Sequence, residues 1–265
     1  MPQINRAIIF AAGRGSRLGP YTHEIPKTLL AIGNLTIFDR IVMGLDGIGV
    51  RDIVVVTGHA GPRLQSHAVI SQKLSENRVC FEFIVNSNLD LGNIYSFWLA
   101  RDRMVEDCIV VNSDVVFHHG ILELLRNNPS DTALVIENSK SLGLEQMKVK
   151  INDKGVVKEI AKELDPQAAN GEYIGIMKIS RNVAKKVIGK AEDLLSAQKF
   201  PLYYEDAFRL LAREEDCLFA CSTEGLPWSE VDTEDDMHHT INRILPQIQS
   251  SVRNGLETEF YQGQI

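Results

Sequence analysis

The sequence has little of what marks the specialised classes of protein chain. Only four cysteines occur in 265 residues, Cys80, Cys108, Cys217 and Cys221, with no C-x-x-C pair and no zinc-type spacing. That excludes a disulfide scaffold and a zinc ribbon. Three of them sit in apolar, strand-like runs and are expected as small buried side chains. No apolar run approaches the roughly 18 residues that a membrane helix needs. No segment is rich in Pro, Gly or Ser, and no internal repeat or low-complexity stretch is visible, so one domain over 1–245 with a tail over 246–265 is expected. Basic residues number 28 against 35 acidic, a net charge of −7, so there is no electrostatic footprint for nucleic acid. Any phosphate must be bound by a few local cations or a metal. The N-terminus is polar and runs straight into a strand-like segment without a secretory pattern, which points to the cytoplasm.

What is present is a globular composition, 44% hydrophobic and 24% charged. Ala7–Ala11 is a short apolar run, as expected of a strand buried on both faces. Residues 36–48 carry a helical stripe, with Thr36 and Asp39 placed as a capping box. Strands at 52–57, 80–85, 108–112 and 132–137 alternate with helices at 62–76, 92–106 and 119–127. This predicts an α/β fold, a doubly wound, mostly parallel sheet. Beyond about residue 145 the pattern changes. Strands at 147–151 and 156–160 flank Asn152-Asp-Lys-Gly155 as an antiparallel hairpin. A strand at 172–179, helices at 181–190 and 203–215, short strands at 218–221 and 229–231 and a helix at 233–245 follow.

The strongest chemical signal is Ala11-Ala12-Gly13-Arg14-Gly15-Ser16-Arg17-Leu18-Gly19, leaving the first strand. Glycines here let backbone N–H groups turn toward a phosphate. A dinucleotide fingerprint would need a third glycine where Leu18 stands, and a P-loop would need Lys directly after its last glycine. Gly-x-Gly alone is equally an ordinary turn. Arg17 and, after Pro26, Lys27 argue for more: an arginine fork and a lysine point charge beside backbone donors suit a triphosphate.

Residues 7–32 resemble the signature of the nucleotidyltransferases that make sugar nucleotides and CDP-activated alcohols. Asn86-Ser-Asn-Leu-Asp-Leu-Gly-Asn93-Ile-Tyr-Ser96, Lys148, Lys162 and Glu172-Tyr-Ile-Gly-Ile176 look most like the phosphocholine cytidylyltransferase branch. The resemblance implies a Rossmann-like parallel sheet with an acceptor-binding insertion, about 145–230. It further implies Mg²⁺ on Asp114 and Asp232, with Asp232 favoured over Glu230 and Asp235. Lys27 and Arg17 would be catalytic, with Arg17 and the loop amides holding pyrophosphate. Ala12, Gly13, Gly15, Ser16, Asn86, Asn93 and Ser96 would bind the nucleotide. Read as residues alone, Asp114 could be a turn or cap and Asp232 a helix cap.

For the acceptor, the resemblance points to Lys148 and Lys162 near its phosphate. Glu172, Tyr173, Tyr203, Tyr204, Glu205, Asp206 and Trp228 form an acidic-aromatic set that suits an amine, and equally a partly buried helix and strand. The partners expected are CTP and a small phosphate- or phosphonate-bearing substrate, with no nucleic acid and no membrane. A homodimer is left open. Two other readings stand beside this one: a sugar-1-phosphate transferase using UTP, dTTP or GTP, and a nucleotide-binding regulatory protein without turnover. No histidine pairs with a nucleophile motif, and His118-His119 and His238-His239 are expected at helix starts on the surface.

Overall fold

The computed structural model describes residues 4–138, 141–197 and 202–254. The first half builds β1 (Arg6–Ala11), the small hairpin β2 (Ala31–Ile32) and β3 (Leu35–Thr36), then α1 (Ile37–Gly47), β4 (Asp52–Thr57), α2 (Gly61–Leu74) and β5 (Cys80–Val85). It continues through α3 (Asn93–Leu99), β6 (Cys108–Asn112), β7 (Val115–Phe117), α4 (Gly120–Asn127) and β8 (Ala133–Glu137). The second half adds β9 (Lys148–Ile151), β10 (Val157–Ala161), β11 (Gly171–Ile179), α5 (Arg181–Ser196), α6 (Tyr204–Glu214), β12 (Phe219–Ser222), β13 (Trp228–Glu230), α7 (Glu234–His239) and α8 (Leu245–Asn254). Residues 240–244 join α7 to α8 as a π-helical turn. The helix expected over 92–106 is shorter, because α3 stops at Leu99 and a 3₁₀ turn, Arg101–Arg103, follows.

The main sheet has the order β10-β9-β11-β6-β1-β4-β5, with β8 pairing β11 and β12 pairing β8. The run β6-β1-β4-β5 is parallel throughout. Alternate side chains of its strands enter two cores. Ala7, Ile9, Ile53 and Val55 pack with α1, α2 and α4 residues on one face, while Ile8, Phe10, Val54 and Val56 pack with α3, α5 and α6 residues on the other. Burial on both faces explains why these strands read as unbroken apolar runs. The expected hairpin forms from β9 and β10, antiparallel, and adjoins β11, which runs against β6. β11 is bent by a bulge between Tyr173 and Met177, where Gly175 takes φ +79°.

Of the two short strands beside the site, β13 matches the strand expected at 229–231, whereas β7 was not expected. β7 pairs with β13, Glu230 opposite Val115, and Val231 N donates to Asp114 O at 2.9 Å. Three-residue strands carry too little alternation to be read as partners. Of the cysteines, Cys108 and Cys221 are buried as expected, but Cys80 is exposed because β5 is the sheet edge. His118 is buried, not superficial, and His238-His239 close α7 instead of opening it.

α1 and α2 are joined by a buried carboxylate. Asp39 completes the predicted capping box with Thr36 and also accepts from Ser71 Oγ at 2.6 Å, with His67 Nε2 3.0 Å away. Burial alone would raise its pKa; the hydrogen bonds from Ser71 and Thr36, with His67, outweigh that and hold it below the usual carboxylate range. A depressed folded-state pKa stabilises the fold above the ordinary value, and that contribution fades as pH falls through the folded one. Asp39→Asn should therefore cost about 2 kcal/mol near neutral pH. The difference from the unaltered protein should shrink in urea titrations run in acid, and a constant difference at all pH values would refute the linkage.

Candidate active site

Two clefts open at the carboxyl ends of β1 and β6, the place where open α/β sheets bind ligands. One lies under the glycine loop and is bordered by Ala12, Gly13, Gly15, Lys27, Asn86, Asn93, Ser96 and Asp114. Gly15 sits at φ +62°, and a Cβ there would press to 3.1 Å from Thr22 Cγ2 and 3.2 Å from Lys27 Cβ. The Thr22 hydroxyl donates back to Gly15 O at 2.8 Å, which fixes the loop against the start of the lysine segment. Pro26, extended at φ −67° and ψ 147°, launches the 3₁₀ turn Lys27–Leu29. Ser16 lies past the rim, outside the residues that line this cleft.

The second cleft is bordered by Arg17, Lys162, Glu172, Tyr173, Glu205, Trp228 and Asp232, among others. Strand alternation along β13 and beyond turns Trp228, Glu230 and Asp232 to one side, so all three face it. Glu137, buried in β8, accepts the Trp228 indole N–H at 3.0 Å. Lys162 Nζ lies 4.9 Å from the centroid of the Tyr203 ring. Glu205 is buried with Oε2 lacking a hydrogen-bond partner, and burial pushes its pKa up to about 7.

Where the clefts meet, charge is concentrated. Lys27 Nζ donates to Asp114 Oδ2 at 2.7 Å and also bonds Asp232. Arg17 bonds the other Asp232 oxygen. The β7–β13 ladder sets this up, because Asp114 enters it and Asp232 leaves it. Asp232 is not the helix cap: Thr233 caps α7 with Asp236, which also receives Asp232 N, so the Asp232 carboxylate is left for the cations. Burial would raise Asp232, but Lys27, Arg17 and Lys162 hold it below its ordinary value. Burial also opposes the charge on Lys27, yet Asp114 and Asp232 together raise its pKa, so it stays an ammonium.

A third acid completes the group. Asp114, Glu230 and Asp232 each place a carboxylate oxygen within 4.8 Å of the others. Lost hydration and the two neighbouring carboxylates raise Glu230, to about 8. The residue as a whole is exposed, so the neighbouring charges are the firmer cause. Asp114 Oδ1 is buried without a partner. Clustered oxygen donors with one buried oxygen unmet fit a hard divalent cation.

Several expectations need correction. Lys148 is fully buried and points to the face opposite Met147, which borders the cleft; its ammonium bonds Gly143 O, Leu144 O and Gln146 O at 3.2, 2.9 and 3.0 Å. It ties down the 143–146 loop. Arg17 borders the second cleft, held by Asp232. Asp206 accepts Tyr203 N at 2.9 Å as a helix cap. Tyr204 is a core residue, stacked among Phe10, Phe97 and Phe208. Asn86 does border the first cleft, its amide donating to Ser96 Oγ at 3.0 Å and accepting from Asn88 N at 2.8 Å. Sequence reading weighed Glu230 only as an alternative to Asp232, whereas the structure groups both with Asp114, and it missed Asn112.

With this geometry in view, the likeness to known proteins is informative. A family model described as nucleotidyl transferase matches residues 6–170. The chain belongs to that family. It is an enzyme of nucleotidyl transfer. A curated relative, the CTP:phosphoglutamine cytidylyltransferase of Campylobacter jejuni, is 28% identical over 260 residues, covering 89% of this chain and 99% of the relative. The inositol-1-phosphate CTP transferase structure from T. maritima superposes with a TM-score of 0.77 at 20% identity, covering 96% of this chain and 98% of that one. The Streptococcus pneumoniae CTP:phosphocholine cytidylyltransferase structure gives 0.74 at 20% identity, covering 89% and 97%. At that identity the two structures speak for the fold. Other relatives are bifunctional, and this chain spans 50% of one and 56% of another. Among the described residues no helix is long and apolar enough to cross a membrane.

Removing the lysine tests the electrostatics directly. Lys27→Met strips the acidic group of its buried counter-cation, so its melting temperature should fall by several degrees. Mg²⁺ should then raise it more than it raises that of the unaltered protein, since an ion can take the lysine's place. Equal Mg²⁺ shifts in both proteins would argue against a cation site here.

Proposed function

We propose that the chain is a divalent-metal-dependent cytidylyltransferase that couples CTP to a small phosphate- or phosphonate-bearing acceptor carrying an amine, releasing pyrophosphate. The reading is carried by the shared border: Asp114, bridged through Lys27 to Asp232, belongs to both the glycine-loop cleft and the acidic cleft. Nucleotide phosphates would occupy the first and the acceptor phosphate the second. Phosphate monoesters are already ionised near neutral pH, so the nucleophile needs no general base. The barrier is the approach of two anions, and fixed positive charge lowers it. Lys27 would supply that charge at the junction and Arg17 from the acceptor side. Asp114 and Asp232, with Glu230, would hold Mg²⁺, which supplies further neutralisation of phosphate charge when bound.

The amine is inferred from charge balance. The acceptor cleft is bordered by six carboxylates, Asp114, Glu145, Glu172, Glu205, Glu230 and Asp232, against Arg17 and Lys162. Three of the acids lie outside the metal group, and a purely anionic acceptor would meet them at a cost. An ammonium would meet the unpartnered Glu205 oxygen beside the aromatic faces of Tyr203 and Trp228. CTP is supported by the names of the Campylobacter jejuni, T. maritima and Streptococcus pneumoniae relatives.

Pyrophosphate release should be assayed with Mg²⁺ and each of CTP, UTP, dTTP, ATP and GTP against pools of amine phosphates, phosphonates, polyol phosphates and sugar 1-phosphates. Release is expected with CTP and an amine-bearing pool, and Asp114→Ala should lower it at least about a thousandfold. Release confined to sugar 1-phosphates, or indifference to Asp114→Ala, would overturn the proposal. The pH profile adds a second check. Glu205 must be ionised to hold a cation, so kcat/KM for the amine acceptor should rise with pH through about 7. Glu205→Gln should flatten that limb, leaving only the ionisation of the acceptor's phosphate, and an unchanged profile would remove Glu205 from the site.

A further inference from the structure

Asn93, Asn112 and Asp114 border both clefts, so a phosphoryl group moving between them passes beside these three side chains. Both asparagine oxygens are committed to the same residue. Tyr204 N donates to Asn93 Oδ1 at 2.8 Å, and the Tyr204 hydroxyl donates to Asn112 Oδ1 at 3.0 Å. The Tyr173 hydroxyl lies 3.1 Å from the Tyr204 hydroxyl. Burial raises both phenols well above their ordinary pKa, so both keep their protons.

An amide whose oxygen is taken presents its amino group. Among the described residues neither Nδ2 has a protein acceptor, and neither is a sealed-off orphan in the core. Room for the Asn112 amino group comes from the β11 bulge: a Cβ on Gly175 would lie 2.7 Å from Asn112 Nδ2. Neutral donors suit this location. Lys27 and Arg17 are each bonded to carboxylates, whereas an amide donor keeps its hydrogens for an incoming oxygen.

We infer that the amino groups of Asn93 and Asn112 form a paired hydrogen-bond receptor for phosphoryl oxygens at the junction of the two clefts, aimed by Tyr204 as a positioning residue. The inference rests on the reading above that nucleotide and acceptor phosphates meet there. Its test needs one readout that depends on that reading and one that does not.

In turnover, Asn112→Ala should lower kcat about a hundredfold, the usual cost of one preorganised donor, with KM for the nucleotide within about twofold. Asn112→Asp, which keeps the acceptor for Tyr204 but loses the donor, should lose at least as much. Tyr204→Phe keeps the ring in the core, so it should fold normally and lose less. Combined with Asn112→Ala it should add almost nothing, because its hydroxyl acts through Asn112. Asn112→Ala within about twofold of the unaltered enzyme, or a fully additive double variant, would overturn the inference.

The independent readout is nuclear magnetic resonance of the side-chain NH₂ groups on the full chain with Mg²⁺, assigned by their loss in Asn93→Ala and Asn112→Ala. Titration with inorganic phosphate should shift both pairs, and Asn112→Ala should weaken phosphate binding. Signals that stay fixed at saturating phosphate would overturn the receptor. Shifts without turnover on any nucleotide and acceptor pool would sink the proposed activity and leave the receptor standing.

Discussion

The ammonium of Lys27 is the contact on which the site depends. It is nearly enclosed, with 11% of its side chain exposed, and it bonds both Asp114 and Asp232. Two carboxylates converging on an enclosed position would repel each other and shift toward protonation. The lysine reverses that and keeps Asp232 ionised. Its own placement is inherited from Pro26 and from Gly15, whose missing side chain lets Thr22 and Lys27 close in. Loop geometry at the N-terminal strand and charge near the C-terminal strand are thus one structure.

The sheet supplies the other half of the arrangement. β6 ends at Asn112, two residues before Asp114, and the chain turns into β7, whose partner β13 comes from the far end of the domain. The ladder holds Asp114 and Val231 in register through one backbone hydrogen bond. Glu137 anchors the Trp228 end of that ladder with a buried acceptor. Three pieces of chain remote in sequence are fixed this way by short-range contacts. The acidic group depends on them, since no single element carries all of its members.

What the sequence made legible follows from this. The parallel core was readable because strands buried on both faces are apolar without interruption, and the glycine loop with Lys27 was readable because its parts are local. Asp114 and Asp232 were found through resemblance, and the structure brings them together. Lys148 was misplaced because a strand lysine can face either side, and only the 143–146 carbonyls decide which. Cys80 was misread because nothing in an apolar run tells an edge strand from a central one. Asn112 was invisible as a site residue. Its orientation is set by Tyr204 and its space by Gly175, and neither lies near it in the chain.

The same reasoning separates two kinds of polarity in the molecule. Polar groups that serve the fold are closed: Asp39 is met by Thr36, Ser71 and His67, and the Lys148 ammonium by three carbonyls. At the junction of the clefts they are left open. Asp114 Oδ1 and Glu205 Oε2 are buried without partners, and the asparagine amino groups face the junction with no protein acceptor among the described residues. Buried polar atoms are ordinarily satisfied, because an unmet one costs on the order of 1–3 kcal/mol. Such costs, concentrated where two clefts meet and matched in sign to a cation, an ammonium and phosphoryl oxygens, are the physical imprint of the ligands this site is shaped to receive.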